Sequence, residues 1–174
     1  MIRRRSALVA LGLVAAPAFA QSASAPNYVP VSRTLATSGQ PTERALRAFG
    51  RQGFEAVVSL VPNDVSGVVR AEPAILAAQG IEFVHVPIPF DAPDESHLRA
   101  LTATLDRLSG RKVLVHCEVN MRASTLVFLY RVLTLHEAPG EAYEAVAIVW
   151  SPRGPWRGLI VEQLAKHGIA FEPY

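Results

Sequence analysis

The sequence of 174 residues contains a single cysteine, Cys117. One thiol excludes an internal disulfide framework, and it excludes any metal or iron–sulfur cluster built from several cysteines of one chain. Charged residues are also scarce, at 18%, against 50% hydrophobic residues, and this balance excludes disorder as the main state of the chain. The length suits one domain with a core large enough to fold unaided.

Two further kinds of motif are missing from the sequence. It has no glycine-rich nucleotide loop, and its five histidines are scattered, with no pair at the spacing that would hold a metal together with carboxylates. We therefore expect no metal and no organic cofactor.

The first twenty residues have the pattern of an export signal. Three consecutive arginines, Arg3 to Arg5, precede an apolar run from Ala7 to Ala16 and an Ala18-Phe19-Ala20 cleavage site. We predict a signal peptide over residues 1–20, cleaved after Ala20, with an uncleaved anchor as the alternative. The apolar run is short for a permanent membrane helix. We expect an exported protein, which would be periplasmic in a Gram-negative cell.

Removal of this segment reverses the sign of the net charge. The full sequence has 17 basic and 15 acidic residues, a formal charge of +2, and the loss of three arginines from the 17 leaves 14 against 15. A net charge of −1 gives no basic footprint for nucleic acid or for an anionic membrane surface. We therefore expect no nucleic-acid partner and no stable membrane anchor after cleavage.

The rest of the chain divides into a leader, residues 21–27, predicted to be disordered, and one domain over residues 28–174. In the domain, solid apolar runs that are typical of buried strands alternate with amphipathic segments that are typical of helices. The predicted strands are Tyr28–Leu35 at an edge, Ala56–Val61, Ile81–Val86 and Lys112–His116, and residues 37–41 are predicted to be a turn. This alternation predicts an α/β fold with a mostly parallel central sheet flanked by helices, in which ligands bind at the carboxyl ends of the strands.

The last predicted strand leads directly into the segment that carries the chemistry. His116 and Cys117 end this strand, a short turn follows, and an almost wholly apolar helix comes next. Backbone N–H groups, a helix N-terminus and the positive charge of Arg122 all favour a thiolate at Cys117. The same groups suit an oxyanion, with an arginine fork to clamp two oxygens. The predicted anion-binding residues are Glu118, Val119, Asn120, Met121, Arg122, Ala123 and Ser124.

The Val-His-Cys…Arg-x-Ser segment and the order of elements resemble the cysteine-dependent protein tyrosine and dual-specificity phosphatases. The loop Ser38-Gly39-Gln40-Pro41-Thr42 adds to the resemblance, which covers about residues 28–166. It implies a dual-specificity-phosphatase-like fold and a phosphorylated or other anionic substrate. It further implies that Cys117 attacks phosphorus, that Arg122 binds the phosphoryl oxygens and that Ser124 eases departure of the thiolate. Asp91 would then be the general acid, and Asp94 is the rival candidate.

The loop departs from the family pattern in its length. Four residues separate Cys117 from Arg122 where the family has five, so that Ala123 stands at the expected arginine position. Asn120 replaces the usual glycine, which is a mild change because asparagine tolerates a left-handed backbone. A four-residue spacing also occurs in the rhodanese loop, so a sulfurtransferase that uses a Cys117 persulfide is an alternative.

Two structural interpretations of the same residues stay open. Arg122 can pair with Glu118 or another carboxylate instead of a ligand. Separately, the chain can be an anion-binding or protein-binding module that keeps the nest and binds phosphate or sulfate near Arg122 without turnover. We interpret His116 as a supporting hydrogen-bonding residue that orients the loop, not as a base.

Overall fold

A five-stranded sheet lies at the centre of the protein in the computed structural model, which describes residues 25–174. In chain order the strands are β1 (Val29–Pro30), β2 (Leu35–Ser38), β3 (Ala56–Ser59), β4 (Glu82–His85) and β5 (Val113–His116). Their spatial order is β1-β2-β5-β3-β4, with β1 antiparallel to β2 and every other pair parallel. The predicted mostly parallel α/β sheet is confirmed.

Helices cover both faces of the sheet. They are α1 (Glu43–Leu46), a 3-10 turn (Gly50–Gln52), α2 (Glu72–Ala77), α3 (Glu95–Arg107), α4 (Met121–Leu133), α5 (Pro139–Ala147) and α6 (Gly154–Lys166). Successive side chains of β5 point to opposite faces of the sheet, and each face packs against its own layer of helices. Leu114 enters the core beneath α1 and α2, whereas Val113 and Val115 enter the larger core beneath α3 to α6.

Helix α4 runs through the middle of the larger core. Nearly all of its side chains are buried, from Arg122 in its first turn to Val132 in its last. A helix that is apolar on every side is stable only where neighbours cover it on every side. The predicted central helix is thus confirmed, and its rigid position fixes the segment that leads into it.

The register of β5 determines where Cys117 lies. His116, the last residue of β5, is level with Ser38 of β2 on one side and with Ser59 of β3 on the other. Cys117 is therefore the first residue beyond the carboxyl edge of the sheet, between two neighbouring strands. Open α/β sheets bind their ligands at this edge.

The N-terminal part of the fold differs from the expectation. The strand predicted over Tyr28–Leu35 is only Val29–Pro30, and Thr37 and Ser38, predicted to lie in a turn, belong to β2 and are fully buried. Their polar side chains suggested a turn, but parallel pairing with β5 satisfies their backbone, and their hydroxyls have hydrogen-bond partners. The prediction for these residues was wrong because tertiary pairing overrides local preference.

Part of the predicted leader is also ordered. Pro26 and Asn27 hydrogen-bond to residues beyond β2 and beyond β5, so the prediction of disorder fails for them. The signal peptide over residues 1–20, cleavage after Ala20 and the leader up to residue 24 lie outside the described residues. Within residues 25–174, no helix is both long and apolar enough to cross a bilayer.

Candidate functional site

The Cys117 loop, residues 117–122, joins β5 to α4. The N–H of Cys117 donates to the carbonyl of Ser38 at 3.1 Å, which extends the pairing of β5 with β2 by one residue. The thiol is almost fully buried, with 1% of the residue exposed. Cys117 therefore lies at the base of the loop, held by the sheet on one side and by the helix on the other.

Asn120 makes the turn into α4. Its backbone is left-handed, with φ of 73°, as the replacement of glycine by asparagine predicted. Its side-chain Nδ2 donates to the carbonyl of Asn27 at 2.6 Å and to Oγ1 of Thr37 at 3.0 Å. Because these contacts engage the amide, α4 has no side-chain cap among the described residues, and the first N–H groups of the helix stay available to an anion.

Gly39 and Gln40 hold the loop from the side of β2. The N–H of Gln40 donates to the carbonyl of Glu118 at 2.9 Å, and a Cβ on Gly39 would lie only 2.6 Å from that same oxygen. Asn27 Nδ2 fixes the next carbonyl, that of Val119, at 2.9 Å. The sequence suggested a simple turn around Gly39, but this glycine is required because the two backbones approach closely.

Arg122 is buried in the first turn of α4, with 4% of its side chain exposed. Its Nη1 donates to Oε2 of Glu118 at 2.9 Å, so the pairing left open above is present in the structure. Its buried Nε has no hydrogen-bond partner within residues 25–174. A buried N–H without a partner is costly, and the Nε edge of a guanidinium matches two oxygens of a phosphoryl group. This edge is therefore suited to a ligand.

An aromatic cluster borders Arg122 on the side of the loop between β4 and α3. The guanidinium carbon lies 5.3 Å from the centre of the Phe90 ring, within cation–π range. Phe90 packs against Trp150 and Trp156, and the indole of Trp156 donates to its carbonyl at 2.7 Å. The tryptophans anchor the packing here, and they hold the loop that carries Phe90 beside the Cys117 loop.

The two candidate acids differ in their surroundings. Asp91 is exposed and follows Phe90 directly, so its loop reaches the site. Asp94 caps α3, where its carboxylate accepts from the Ser96 hydroxyl at 2.6 Å and from the His97 N–H at 3.1 Å. These two hydrogen bonds hold the pKa of Asp94 below its ordinary value. A carboxyl held in the ionised form is a poorer proton donor, which favours Asp91.

The remaining predicted anion-binding residues occupy different depths. Val119 is 44% exposed, at the mouth of the loop, and Ala123 is fully buried. Met121 and Ala123 contribute backbone N–H groups of the first turn of α4. The Ser124 hydroxyl donates to the Met121 carbonyl at 3.3 Å and its N–H to the Asn120 carbonyl at 2.9 Å. In this arrangement Ser124 completes the helix turn.

Behind the loop lies a buried network that sequence reasoning located only in part. His116 Nδ1 is 3.3 Å from the Cys117 carbonyl oxygen, consistent with the expected supporting role. Its Nε2 lies 3.0 Å from Oε1 of Glu72, and Oε2 of the same carboxylate accepts from Gln40 Nε2 at 3.0 Å. Glu72 was missed because it is far from His116 in sequence, and its place at the start of α2 is typical of a solvated charge. In the described part of the chain, no cluster of three or more metal-ligating side chains occurs.

Solved structures with this arrangement of strands and helices include phosphatases. A Shewanella putrefaciens CN-32 protein described as a putative phosphatase (DUF442) gives a TM-score of 0.72 at 24% identity, over 82% of this chain and 92% of that one. The active form of Tk-PTP gives 0.66 at 24% identity, over 81% and 98%. The core catalytic domain of the PP-IP phosphatase SIW14 from S. cerevisiae gives 0.63 at 14% identity, over 87% and 98%. The chain has the fold of the cysteine-dependent phosphatases. The predicted dual-specificity-phosphatase-like architecture is confirmed.

The relatives found by sequence comparison give less information about this chain than the solved structures do. Two Beta-lactamase hydrolase-like proteins of Xylella fastidiosa, from strains Temecula1 and 9a5c, are 29% identical to this chain over 108 residues. That stretch is 60% of this chain but a quarter of the length of the relatives. No protein-family model matches the chain. The likeness to the solved structures shows the fold of this chain and not its activity.

Proposed function

We propose that this chain is a cysteine-dependent phosphatase that hydrolyses a phosphate ester through a thiophosphate on Cys117. The observation that carries the proposal is the buried Nε of Arg122, which has no hydrogen-bond partner within residues 25–174 and lies in the first turn of a helix without a side-chain cap in that range. Cys117, the single cysteine of the sequence, is five residues before Arg122. Together these groups offer charge and N–H donors to an oxyanion next to a nucleophile.

In the first step the Cys117 thiolate attacks phosphorus and a sulfur–phosphorus bond forms. The ester oxygen–phosphorus bond breaks, and the leaving oxygen takes a proton from the Asp91 carboxyl group. Arg122 and the N–H groups of the first turn of α4 stabilise the charge on the phosphoryl oxygens. In the second step water attacks phosphorus, and the Asp91 carboxylate accepts its proton. Inorganic phosphate leaves and the thiolate is restored, so no oxidant or cofactor is consumed.

Glu118 engages only one edge of the Arg122 guanidinium. It accepts from Nη1 and leaves the Nε edge free for the substrate. Glu118 is 41% exposed at its side chain, so it can also move into solvent when a phosphoryl group competes for Nη1. The exposed ring of Phe90 beside Arg122 supports an aryl phosphate, such as a tyrosine phosphate in a protein, as the substrate class.

Two other functions each have one observation in their favour. The internal Glu118–Arg122 pair favours an anion-binding module without turnover. The four-residue spacing between Cys117 and Arg122 favours sulfur transfer through a Cys117 persulfide. Turnover of an aryl phosphate would distinguish a phosphatase from an anion-binding module. The formation of thiocyanate from thiosulfate and cyanide, lost in Cys117→Ala, would identify sulfur transfer.

The test uses the chain purified without residues 1–20 and an aryl phosphate. Hydrolysis should be present in the wild type and fall to background in Cys117→Ser, since the hydroxyl is a far weaker nucleophile than a thiolate. Both proteins should bind inorganic phosphate by calorimetry, which shows that the variant keeps its site. Equal hydrolysis by the two proteins, or none by either, would contradict the proposal.

Asp91 and Asp94 provide a matched pair for the acid. We expect Asp91→Asn to lower kcat by about 10²–10⁴-fold, the usual contribution of a general acid. Asp94→Asn should leave kcat within about twofold, because its amide oxygen can still cap α3. A substrate with a very acidic leaving group should restore much of the Asp91→Asn loss. If Asp94→Asn has the larger effect, the assignment is reversed.

We propose in addition that the protein acts after export, which rests on the sequence of residues 1–20 alone. Mass spectrometry of the protein from the periplasm of an expressing cell should give a chain that begins at Gln21. Recovery of the intact sequence from the membrane fraction would favour the anchor.

A further inference from the structure

Three successive carbonyl oxygens of the Cys117 loop each accept a hydrogen bond from a fixed donor. In chain order, the donors are the N–H of Gln40 to Glu118, Nδ2 of Asn27 to Val119 and the N–H of Ser124 to Asn120, each at 2.9 Å. The peptide units of the loop are planar and trans, so each N–H points away from the carbonyl of its own unit. The N–H groups of residues 119–121 therefore point away from these three donors.

Of these three donors, Asn27 alone acts through its side chain. The other two are backbone N–H groups, which every residue except proline supplies. The hydrogen bond to the Val119 carbonyl therefore depends on the identity of one residue. That residue lies two positions before β1, far from the loop in sequence, and a substitution can remove its donor without touching the loop.

The backbone of Asn27 is held in place by contacts of its own. Its carbonyl accepts from Nδ2 of Asn120 at 2.6 Å, and the preceding carbonyl, that of Pro26, accepts from the N–H of Gly39 at 2.6 Å. Its φ of 49° lies in the left-handed region, which asparagine tolerates better than most side chains. Asn27 and the loop thus exchange two hydrogen bonds, and a fixed backbone aims the Asn27 amide at Val119.

The peptide unit between Val119 and Asn120 is the one whose orientation most needs this support. Val119 is 44% exposed, so burial of its side chain contributes little to the orientation of the unit. Asn120 has φ of 73°, and a flip of the unit would carry that angle out of the left-handed region, which most side chains disfavour. The flipped unit would also present the Val119 carbonyl oxygen, which repels an anion, in place of the Asn120 N–H. The hydrogen bond from Asn27 opposes this flip.

We propose that Asn27 is a positioning residue of the anion site: its side chain holds the Val119 carbonyl outward, and this keeps the Asn120 N–H directed at the phosphoryl group. An N–H that is already aimed stabilises an oxyanion well, because it needs no reorganisation when the anion arrives. The inference rests on the proposed function in taking the Cys117 loop as the place where the phosphoryl group binds.

The first test is Asn27→Gly, made in a Cys117→Ser background so that binding is measured without turnover. Glycine adopts a left-handed backbone readily, and it keeps the carbonyl that accepts from Asn120, so only the side-chain donor is removed. We expect the dissociation constant of inorganic phosphate, measured by calorimetry, to rise roughly tenfold. An unchanged dissociation constant would overturn the proposal.

His136→Gly in the same background is the matched control. His136 is also exposed and left-handed, with φ of 57°, but it follows the C-terminal end of α4, whereas the Cys117 loop leads into the other end. We expect this replacement to leave the dissociation constant of phosphate within about twofold, as a surface substitution should. An equal rise in both variants would show that the Asn27 side chain has no specific role, and it would overturn the proposal.

The second test observes the peptide unit itself. In NMR spectra of Cys117→Ser, the Asn120 amide proton should move downfield when phosphate is added, because it then donates to an anion. At saturating phosphate this shift should be smaller once Asn27→Gly is introduced. A purely structural role for Asn27 would lower the melting temperature and leave the shift at saturation unchanged, and that result would contradict the positioning role.

Binding and hydrolysis have separate outcomes in these experiments. A chain that binds phosphate as expected but hydrolyses no ester would contradict the proposed function alone. A chain that hydrolyses an aryl phosphate, but binds phosphate equally well with and without the Asn27 side chain, would contradict the positioning role alone. If Cys117→Ser itself binds no phosphate, the positioning role is overturned whatever the chain hydrolyses.

Discussion

Two pairs, each of a carboxyl group and a basic side chain, flank Cys117, and they differ chiefly in their access to water. Glu118 and Arg122 meet at 2.9 Å in front of the loop, where the Glu118 side chain is 41% exposed. Glu72 and His116 meet at 3.0 Å behind it, where both side chains are 2% exposed or less. Their contact distances are nearly equal, so distance does not distinguish the two pairs.

The difference in access implies different roles. A half-exposed carboxylate can exchange its partner for water at little cost, so Glu118 can yield Arg122 to an incoming oxyanion. A fully buried carboxyl group has no such alternative, and separating it from its partner leaves a buried polar group without a hydrogen bond. The front pair can therefore respond to substrate, whereas the rear pair is a fixed part of the site.

Truncation of the two carboxylates should separate the pairs most clearly. We expect Glu72→Ala to lower the free energy of unfolding by about 1–3 kcal/mol for each buried partner that it leaves unsatisfied, which are His116 and Gln40. Glu118→Ala should cost less, about 1 kcal/mol, because the exposed position of Glu118 admits water to Nη1 of the buried Arg122. Urea denaturation followed by the fluorescence of Trp150 and Trp156 measures both. Equal losses would show that water access does not distinguish the pairs.

Replacement of the front cation should affect chemistry more than folding. Arg122→Lys keeps the charge but loses the planar fork, and we expect kcat/KM for an aryl phosphate to fall by about 10²–10³-fold. Arg131→Lys is the control, since Arg131 lies in the last turn of the same helix and pairs with Glu137. It should leave kcat/KM within about twofold. An active Arg122→Lys enzyme would mean that the fork does not bind the phosphoryl group.

Local rules predicted the parts of the site that depend on neighbouring residues. The strand before Cys117 and the left-handed Asn120 each follow from sequence within a few positions. Glu118 and Arg122 are four residues apart, and their pairing was a foreseeable alternative for that reason.

The rear pair depended on contacts that local rules do not describe. Glu72 meets His116 only because α2 packs against β4 and α1 and because β5 runs between β2 and β3. Thr37 and Ser38 were assigned to a turn from their polarity, although pairing with β5 buries them. The place of Phe90 over Arg122 likewise depends on two tryptophans late in the chain. The burial of a glutamate at a helix start would have been the signal for Glu72, but burial cannot be read from one sequence.

Neutralising Glu118 should raise the affinity of the site for an anion. Glu118→Gln in a Cys117→Ser background should bind inorganic phosphate about two- to fivefold more tightly, because the competing carboxylate is gone. Isothermal calorimetry at low and high salt measures the change. The gain should shrink as salt rises, because screening weakens an exposed pair. Weaker binding would mean that Glu118 is needed to hold Arg122 in place.

The smallest effect should come from a third pair, whose water access lies between the other two. Glu82 is 35% exposed at its side chain, and hydrogen bonds from Arg111 and Arg107 hold its pKa below the ordinary 4.5. A carboxylate with a lowered folded-state pKa contributes stability above its unfolded value and loses it as pH falls through the folded one. Glu82→Gln should therefore remove part of the acid-induced loss of stability below about pH 4.5, by well under 1 kcal/mol because solvent screens the pair. The urea midpoints of the wild type and of Glu82→Gln at neutral and acid pH measure this difference in stability. If the two proteins lose stability in parallel on acidification, the Glu82 pair contributes nothing, and partial water access alone would be enough to cancel a pair in this fold.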